Sequence, residues 1–485
     1  MFIPIEQIIV LIPFLVLIIS ISIIMLSIIL YRSHVFVFLC TFLSFIISLL
    51  SLLIIYKIIP IYITSLIYIN FYSIVYIAML LFSGLCISIL SFFCLHNMIA
   101  YKEEFYLLIL ASILGGILLI SSNHMISFFI GIELMSLPII GLIKYSYNQK
   151  KSLIIALKYI ILSSMFSILM LFGVVLVYSV CGNLNFNNIK ISFLINHDKN
   201  NQILLFGLGI LLISLFFKLS IFPFHFLIPE MYKNISPLIL IYFTTIIKVA
   251  VFSILIKLFF YFPYNHSQVL YLIIKYISVF SIFFGSMYAV FQKNITKLIG
   301  YSSIAHMGFV IITLLLVEQY SIANESAIIY LINYLLSNIG MLSILSIANN
   351  LYNLKNNNSF YYQGFFWKKP ILTIEMTILI LSILGIPLTL GFISKFYIIF
   401  LSIYKNYWLI NMVILINSGL GIYYYLKIIL NFYSCSNKCD LNHHISFNLY
   451  KNLEMFIFLI IITIILLGIF PQALINIIHI NNQLI

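Results

Sequence analysis

The chain has 485 residues, 64% of them hydrophobic and 7% charged, with a mean hydropathy of +1.21. No water-soluble core needs that much apolar surface, so a soluble globular class is excluded. The formal net charge of +13 does not indicate a nucleic-acid or acidic partner either, because the basic residues are strung along the chain and form no patch.

Apolar runs long enough to cross ~30 Å of hydrocarbon as helix recur fourteen times, near 7–31, 35–56, 67–95, 105–121, 124–143, 152–181, 202–230, 237–262, 270–291, 298–317, 326–350, 370–402, 408–433 and 452–475. They are continuous rather than alternating, and lipid tolerates only self-satisfied backbones. The expected fold class is therefore an all-α polytopic membrane protein. The first run carries neither a basic n-region nor a small-residue cleavage site and is read as a retained span. Spans 4 and 5 are divided at Ser121-Ser122-Asn123-His124, a polar tetrapeptide in an apolar run too long for one helix.

Spans 7 and 12 are each too long for one straight crossing. The first contains KLSIFPFHFLIPE, with Lys218, Pro223, His225, Pro229 and Glu230; the second contains SILGIPLTLGFISKF, with Gly385, Pro387, Gly391 and Lys395. Proline removes a backbone donor and clashes with the preceding turn, so both helices are expected to break near mid-membrane. Broken helices at matching places in two halves point to an inverted-repeat transporter with a midplane site. Five spans around each break give repeats at 105–262 and 263–433. Residues 1–104 (spans 1–3) and 434–485 (a loop and span 14) are then additions.

Of the 24 Lys and Arg, thirteen fall in odd-numbered loops and four in even-numbered ones, the rest lying within spans. By the positive-inside rule the odd loops face the cytoplasm, which puts both termini on the periplasmic side. The loop after span 13 holds Cys435, Cys439, His443 and His444, but Cys-x3-Cys-x3-His-His fits none of the strong zinc spacings, and no metal site is assigned.

Four ionisable side chains sit deep within spans: Glu133, Lys218, Lys248 and Lys395. At ~2.5 to 3.5 kcal/mol apiece, four uncompensated charges would cost roughly 10 to 14 kcal/mol, so the expectation is a path for protons or ions. Glu133 lies near the middle of span 5, too far from either end to snorkel. Lys218 is its natural partner: burial favours the neutral amine and a nearby carboxylate the charged one, so a gated change in separation would load or release a proton. Lys248, just after Thr244 and Thr245, reads as the next relay site, and Lys395 as the terminal donor or acceptor. His225 and His306 could bridge relays, because imidazole passes protons between its nitrogens near neutral pH; a buried structural role is the equal alternative. Lys257, Lys275 and Lys427 lie closer to span ends and read as structural. Glu230 and Glu375 read as capping or orienting groups.

The strings KLSIFPFHFLIPEMYKNISP, NITKLIGYSSIAHMGF and LGIPLTLGFISKFYIIF, in that order within residues 105–430, resemble the antiporter-like membrane subunits of bacterial NADH:quinone oxidoreductase, respiratory complex I. Within that set, the GFISKF lysine, the IGIELMSLP context of Glu133, the length and the fourteen spans are most similar to the subunit N family. The resemblance implies two inverted five-helix repeats with helices 7 and 12 discontinuous. It implies a proton-translocating, multi-pass inner-membrane subunit that assembles with the other membrane subunits and couples electron transfer from NADH to quinone elsewhere in the complex. No cofactor is implied for this chain; NADH, FMN, iron-sulfur clusters and quinone belong to the whole assembly. For matching residues it implies Glu133 with Lys218 as the switch, Lys248 as central relay and Lys395 as terminal site. The sequence departs from the family pattern where Glu230 replaces the usual Asp and where Ser236-Pro237 shortens a Pro-Thr-Pro. Its Ile, Asn, Lys and Tyr richness reflects an AT-biased genome.

No glycine-rich dinucleotide fingerprint, P-loop or ferredoxin-type cysteine array appears. The alternatives are a Mrp-type cation/proton antiporter subunit, which would need a further carboxylate-rich cation site, and a scaffold that has lost transport, which would have no use for four costly charges.

Overall fold

The computed structural model describes residues 4–95, 101–145, 150–195, 201–261, 268–315, 320–352, 358–434 and 447–480. Among these, thirteen helices are long and apolar enough to cross a membrane, and the shorter Pro370–Leu384 and Leu390–Tyr404 together fill the twelfth predicted span. The all-α polytopic expectation holds.

In chain order the helices are α1 (Ile5–Leu30), α2 (His34–Ile55), α3 (Phe71–Cys94), α4 (Lys102–Ser121), α5 (Met125–Lys144), α6 (Lys150–Cys181), α7 (Phe186–Ile195), α8 (Asn201–Leu219), α9 (Ile228–Asn234) and α10 (Pro237–Tyr242). They continue with α11 (Lys248–Tyr261), α12 (Gln268–Val290), α13 (Ile295–Ile312), α14 (Tyr320–Tyr352), α15 (Phe365–Lys368), α16 (Pro370–Leu384), α17 (Leu390–Tyr404), α18 (Trp408–Tyr433), α19 (Phe447–Ile469) and α20 (Pro471–Ile480). One correction to the sequence reading lies between α2 and α3. Residues 67–69 are not helical; β1 (Ile61–Tyr62) and β2 (Tyr68–Ile69) form an antiparallel hairpin in which Tyr62 pairs with Tyr68. Helix starts only at Phe71, where Asn70 and Ser73 exchange side-chain-to-backbone hydrogen bonds in a capping box. A second correction is at span 14: it ends at Ile469, and Pro471 starts a separate helix.

The elements sort into two units, Met1–Leu219 with Thr245–Tyr271, and Ser220–Thr244 with Leu272–Ile485. In the first unit α4 and α5 form the tightest pair. A Cβ on Gly115 would come 2.6 Å from the Met135 nitrogen, and one on Gly131 2.8 Å from the Leu119 backbone, so small residues bring the two backbones together. α1, α2 and α6 turn exposed side chains such as Leu26, Leu50 and Ile161 outward, the surface that lipid solvates at no cost. In the second unit α13 and α14 are the core, buried along almost their whole length, and α16, α17 and α19 pack on α14.

Both predicted breaks are present. α8 stops at Leu219, Ser220 takes a positive φ of 61°, and helix resumes at Ile228. α16 ends in a left-handed Gly385 (φ 81°), followed by Pro387 and a left-handed Leu388 before α17 begins. A third irregularity was not foreseen: residues 243–247 form a π-helical turn immediately before Lys248.

Candidate functional site

Three of the predicted residues, Glu133, Lys218 and Lys248, belong to the first unit. Glu133 projects from α5, where the Ser136 hydroxyl lies 3.4 Å from its Oε2. Its Oε1 is buried without a hydrogen-bond partner, and so is Nζ of Lys218 at the end of α8. The two are close enough for the carboxylate to act electrostatically on the amine, without a direct ion pair. The Lys218 amine instead lies 5.7 Å from the ring centroid of Tyr159 on α6, a cation–π contact. Glu133 acts on the Tyr159 hydroxyl as well. A carboxylate, an amine and a phenol thus share one buried neighbourhood, with no direct ion pair between the first two. Such a group can redistribute a proton for a small movement of any member. Sequence reasoning missed Tyr159, one of 34 tyrosines.

Lys248 is 2% exposed, directly after the π turn. A π turn shifts the register of the following side chains and recurs at functional positions in helices. Lys257, read as structural, is also buried: its amine donates to the backbone carbonyl of Ser122, the C-cap of α4, and lies 5.9 Å from the Tyr68 ring. The polar tetrapeptide between spans 4 and 5 therefore ends a helix whose last carbonyls take a lysine as their cap.

His225, His306 and Lys395 belong to the second unit. His225 is held in an aromatic stack, with Phe222 and Phe226 each 5.5 Å away, and is only half-buried. Lys395 donates to the Leu384 carbonyl at 2.8 Å, so an acceptor freed by the break holds the amine of the next helix. Gly391 is required there, because a Cβ would collide with the Ser382 carbonyl oxygen. The Ser382 hydroxyl in turn donates to Asn333 Oδ1 on α14 at 2.7 Å. The Lys395 amine also faces Phe309 at 5.8 Å, and Phe309 stacks on Tyr330 with centroids 5.9 Å apart. Tyr330 Oη lies 2.7 Å from His306 Nδ1.

Around His306 the structure gathers hydroxyls that sequence reasoning did not single out. Tyr330 and Tyr334 of α14 lie next to Ser302 and Ser303 of α13, Tyr424 and Tyr425 of α18 and Tyr232 of α9, and the five tyrosines are all buried. The i, i+4 spacing of Tyr330 and Tyr334 was the one available signal. Glu375 is corrected. It caps no helix: it is 3% exposed, neither carboxylate oxygen is hydrogen-bonded, and Glu454 of α19 acts on it.

Among the described residues no group of three His, Cys, Asp or Glu is arranged to hold a metal. Cys435, Cys439, His443 and His444 lie outside the described residues.

A family profile described as "NADH:quinone oxidoreductase/Mrp antiporter, TM" matches residues 122–421. The chain is 42% identical over 483 residues, 99% of each chain, to NADH-quinone oxidoreductase subunit N of Buchnera aphidicola subsp. Acyrthosiphon pisum (strain APS). Its fold is similar to a chain of respiratory complex I from Thermus thermophilus with bound aureothin (TM-score 0.79, 23% identity, 95% of this chain and 97% of that one). It is also similar to a chain of the Mrp complex from Dietzia sp. DQ12-45-1b (TM-score 0.80, 14% identity, 98% and 96%).

Proposed function

We propose, for a chain that belongs to the subunit N family of NADH-quinone oxidoreductases, that it is a proton-translocating membrane subunit of that complex. Electron transfer from NADH to quinone, with the flavin, iron-sulfur and quinone chemistry, takes place on other subunits. This chain contributes no redox centre and works within a hetero-oligomer in the bacterial inner membrane, with both termini on the periplasmic side. Energy reaches it as a change that alters the separation of Glu133 and Lys218. The proton then moves along Lys248 and Lys395, in two five-helix repeats built around the breaks of spans 7 and 12. Each proton moved outward against 100 mV costs ~2.3 kcal/mol.

The observation that carries this reading is the state of the first pair. Glu133 Oε1 and Lys218 Nζ are both buried and lack hydrogen bonds, yet the carboxylate acts on the amine. A structural ion pair would be closed and hydrogen-bonded; leaving both groups open costs stability. That cost is reasonable where the pair has to change its protonation.

The Mrp-type reading is weaker: the relative at 42% identity is an NADH-quinone oxidoreductase subunit, while the Mrp likeness at 14% identity is one of fold. The test is proton pumping per NADH oxidised in inverted membrane vesicles carrying Glu133→Ala or Lys218→Ala. The expected result is an assembled complex with depressed pumping. Wild-type pumping in both assembled variants defeats the assignment, and isolation of the chain alone with sodium-dependent transport supports the Mrp reading.

A further inference from the structure

The second unit contains a cavity of about 120 Å³ lined in part by Lys293, Asn294, Ser359, Tyr424, Lys427 and Asn431. Apart from Ser359, whose backbone N–H donates to the Lys293 carbonyl, these residues cluster between α12 and α13 and in the last turns of α18, the side of the odd-numbered, lysine-bearing loops. Tyr424 is both a wall of this cavity and a buried residue, 3% exposed. Its ring lies 4.5 Å from that of Tyr425, and the hydroxyls of Tyr425 and Tyr330 both act on it. Tyr425 acts on Tyr330 in the same way, and Tyr330 Oη reaches His306 Nδ1 at 2.7 Å. Three phenols from two helices therefore adjoin one another, Tyr424 lining the cavity and Tyr330 reaching His306.

Tyrosines in membrane helices often serve as hydrogen-bonding glue. Here the Tyr425 hydroxyl is fully buried within reach of both Ser302 and Tyr424, and Tyr232 Oη within reach of Ser303 and Tyr334, so each phenol meets further hydroxyls. Ser302 and Ser303 donate their own hydroxyl protons to Ile299 and Gly300 carbonyls, which leaves their lone pairs as acceptors.

We propose that Tyr424, Tyr425 and Tyr330 form a hydroxyl relay that carries protons between the cavity and His306. The inference rests on the reading of the chain as a proton-translocating subunit. A phenol both accepts and donates. A proton arriving from the cavity bonds to a Tyr424 lone pair as the original Tyr424 O–H proton passes to Tyr425. The same exchange passes one from Tyr425 to Tyr330, and Tyr330 gives its proton to His306 Nδ1. One N–H bond forms, no phenolate is left, and rotation of the three hydroxyls resets the chain. His306 then stands against Phe309, the ring that also faces Lys395.

The test uses Tyr330→Phe and Tyr425→Phe in the assembled complex, each keeping its ring, with Tyr423→Phe on the exposed face of the same helix as control. Proton pumping per NADH oxidised is expected to fall severalfold in the first two and to stay at wild-type level in the control. If both pump normally while Lys218→Ala and Lys395→Ala do not, the relay is wrong and the proposed function stands. If the lysine variants also pump normally, it is the function that fails. A second arm does not depend on either tyrosine variant assembling: Asn431→Cys, treated with a membrane-impermeant thiol reagent, is expected to lose pumping from the side of the odd-numbered loops. Full labelling with pumping unchanged overturns the relay.

Discussion

The amine of Lys395 lies 2.8 Å from the carbonyl oxygen of Leu384, the last residue of α16. The break in the span thus supplies the acceptor for the charge on the helix that follows it. The C-terminal end of a helix carries partial negative charge, so a cation placed there is favoured by roughly 0.3 to 2 kcal/mol.

This geometry separates two roles for Lys395. Arginine retains a charged donor but does not give up its proton in a protein. Lys395→Arg is expected to preserve the thermal stability of the assembled complex while abolishing most of its pumping; Lys395→Met is expected to lower both. Normal pumping by the arginine variant would mean that Lys395 never releases a proton. Melting followed by native gel, set against vesicle acidification, checks both outcomes.

Glu133 and Lys218 share one electrostatic neighbourhood, so their effects should not add. Glu133→Gln and Lys218→Met are each expected to depress pumping, and the double variant to be little worse than either single one. Additive losses in a double-mutant cycle on pumping rate would place the two residues on separate paths.

Gly391 has no room for a side chain, because a Cβ there collides with the Ser382 carbonyl oxygen. Gly391→Ala should force the break in span 12 open, at about 1 to 3 kcal/mol typical of overpacking. It should also weaken the Ser382 to Asn333 hydrogen bond. Limited proteolysis of the purified complex is expected to cut the variant faster; unchanged cleavage would show that α16 and α17 can move apart at no cost.

Lys257 offers a contrast with the relay lysines. Its amine satisfies the Ser122 carbonyl, so Lys257→Met should destabilise by about 1 to 3 kcal/mol through the orphaned acceptor. Whatever fraction assembles should pump normally. A stable variant that fails to pump would move Lys257 from helix cap to proton path.

Spans, breaks and deep charges were legible because each leaves a local mark: a run of apolar letters, a proline beside glycine, a lone charge in a hydrophobic string. The hydroxyl cluster left none. Tyr423 is 57% exposed while Tyr424 and Tyr425 are buried, and three adjacent identical letters cannot say which face meets lipid when every face of the helix is apolar. The π turn before Lys248 was hidden for a related reason: FTTII is a plain helical string, and its register is set by what packs around it. Glu375 looked like a helix-end group because its distance from Pro370 is short; only the packing of α19 on α16 buries it.

The hydrogen bond from Lys257 to Ser122 joins positions 135 residues apart, and it bears on how the chain is made. During synthesis the fourth span reaches the bilayer well before the eighth. An ammonium entering hydrocarbon without an acceptor costs ~2.5 to 3.5 kcal/mol, which the waiting carbonyl at the end of α4 offsets. Biogenesis should therefore be ordered: the early helices act as a template, and a chain with α4 deleted should leave the segment around Lys257 stalled at the insertion machinery.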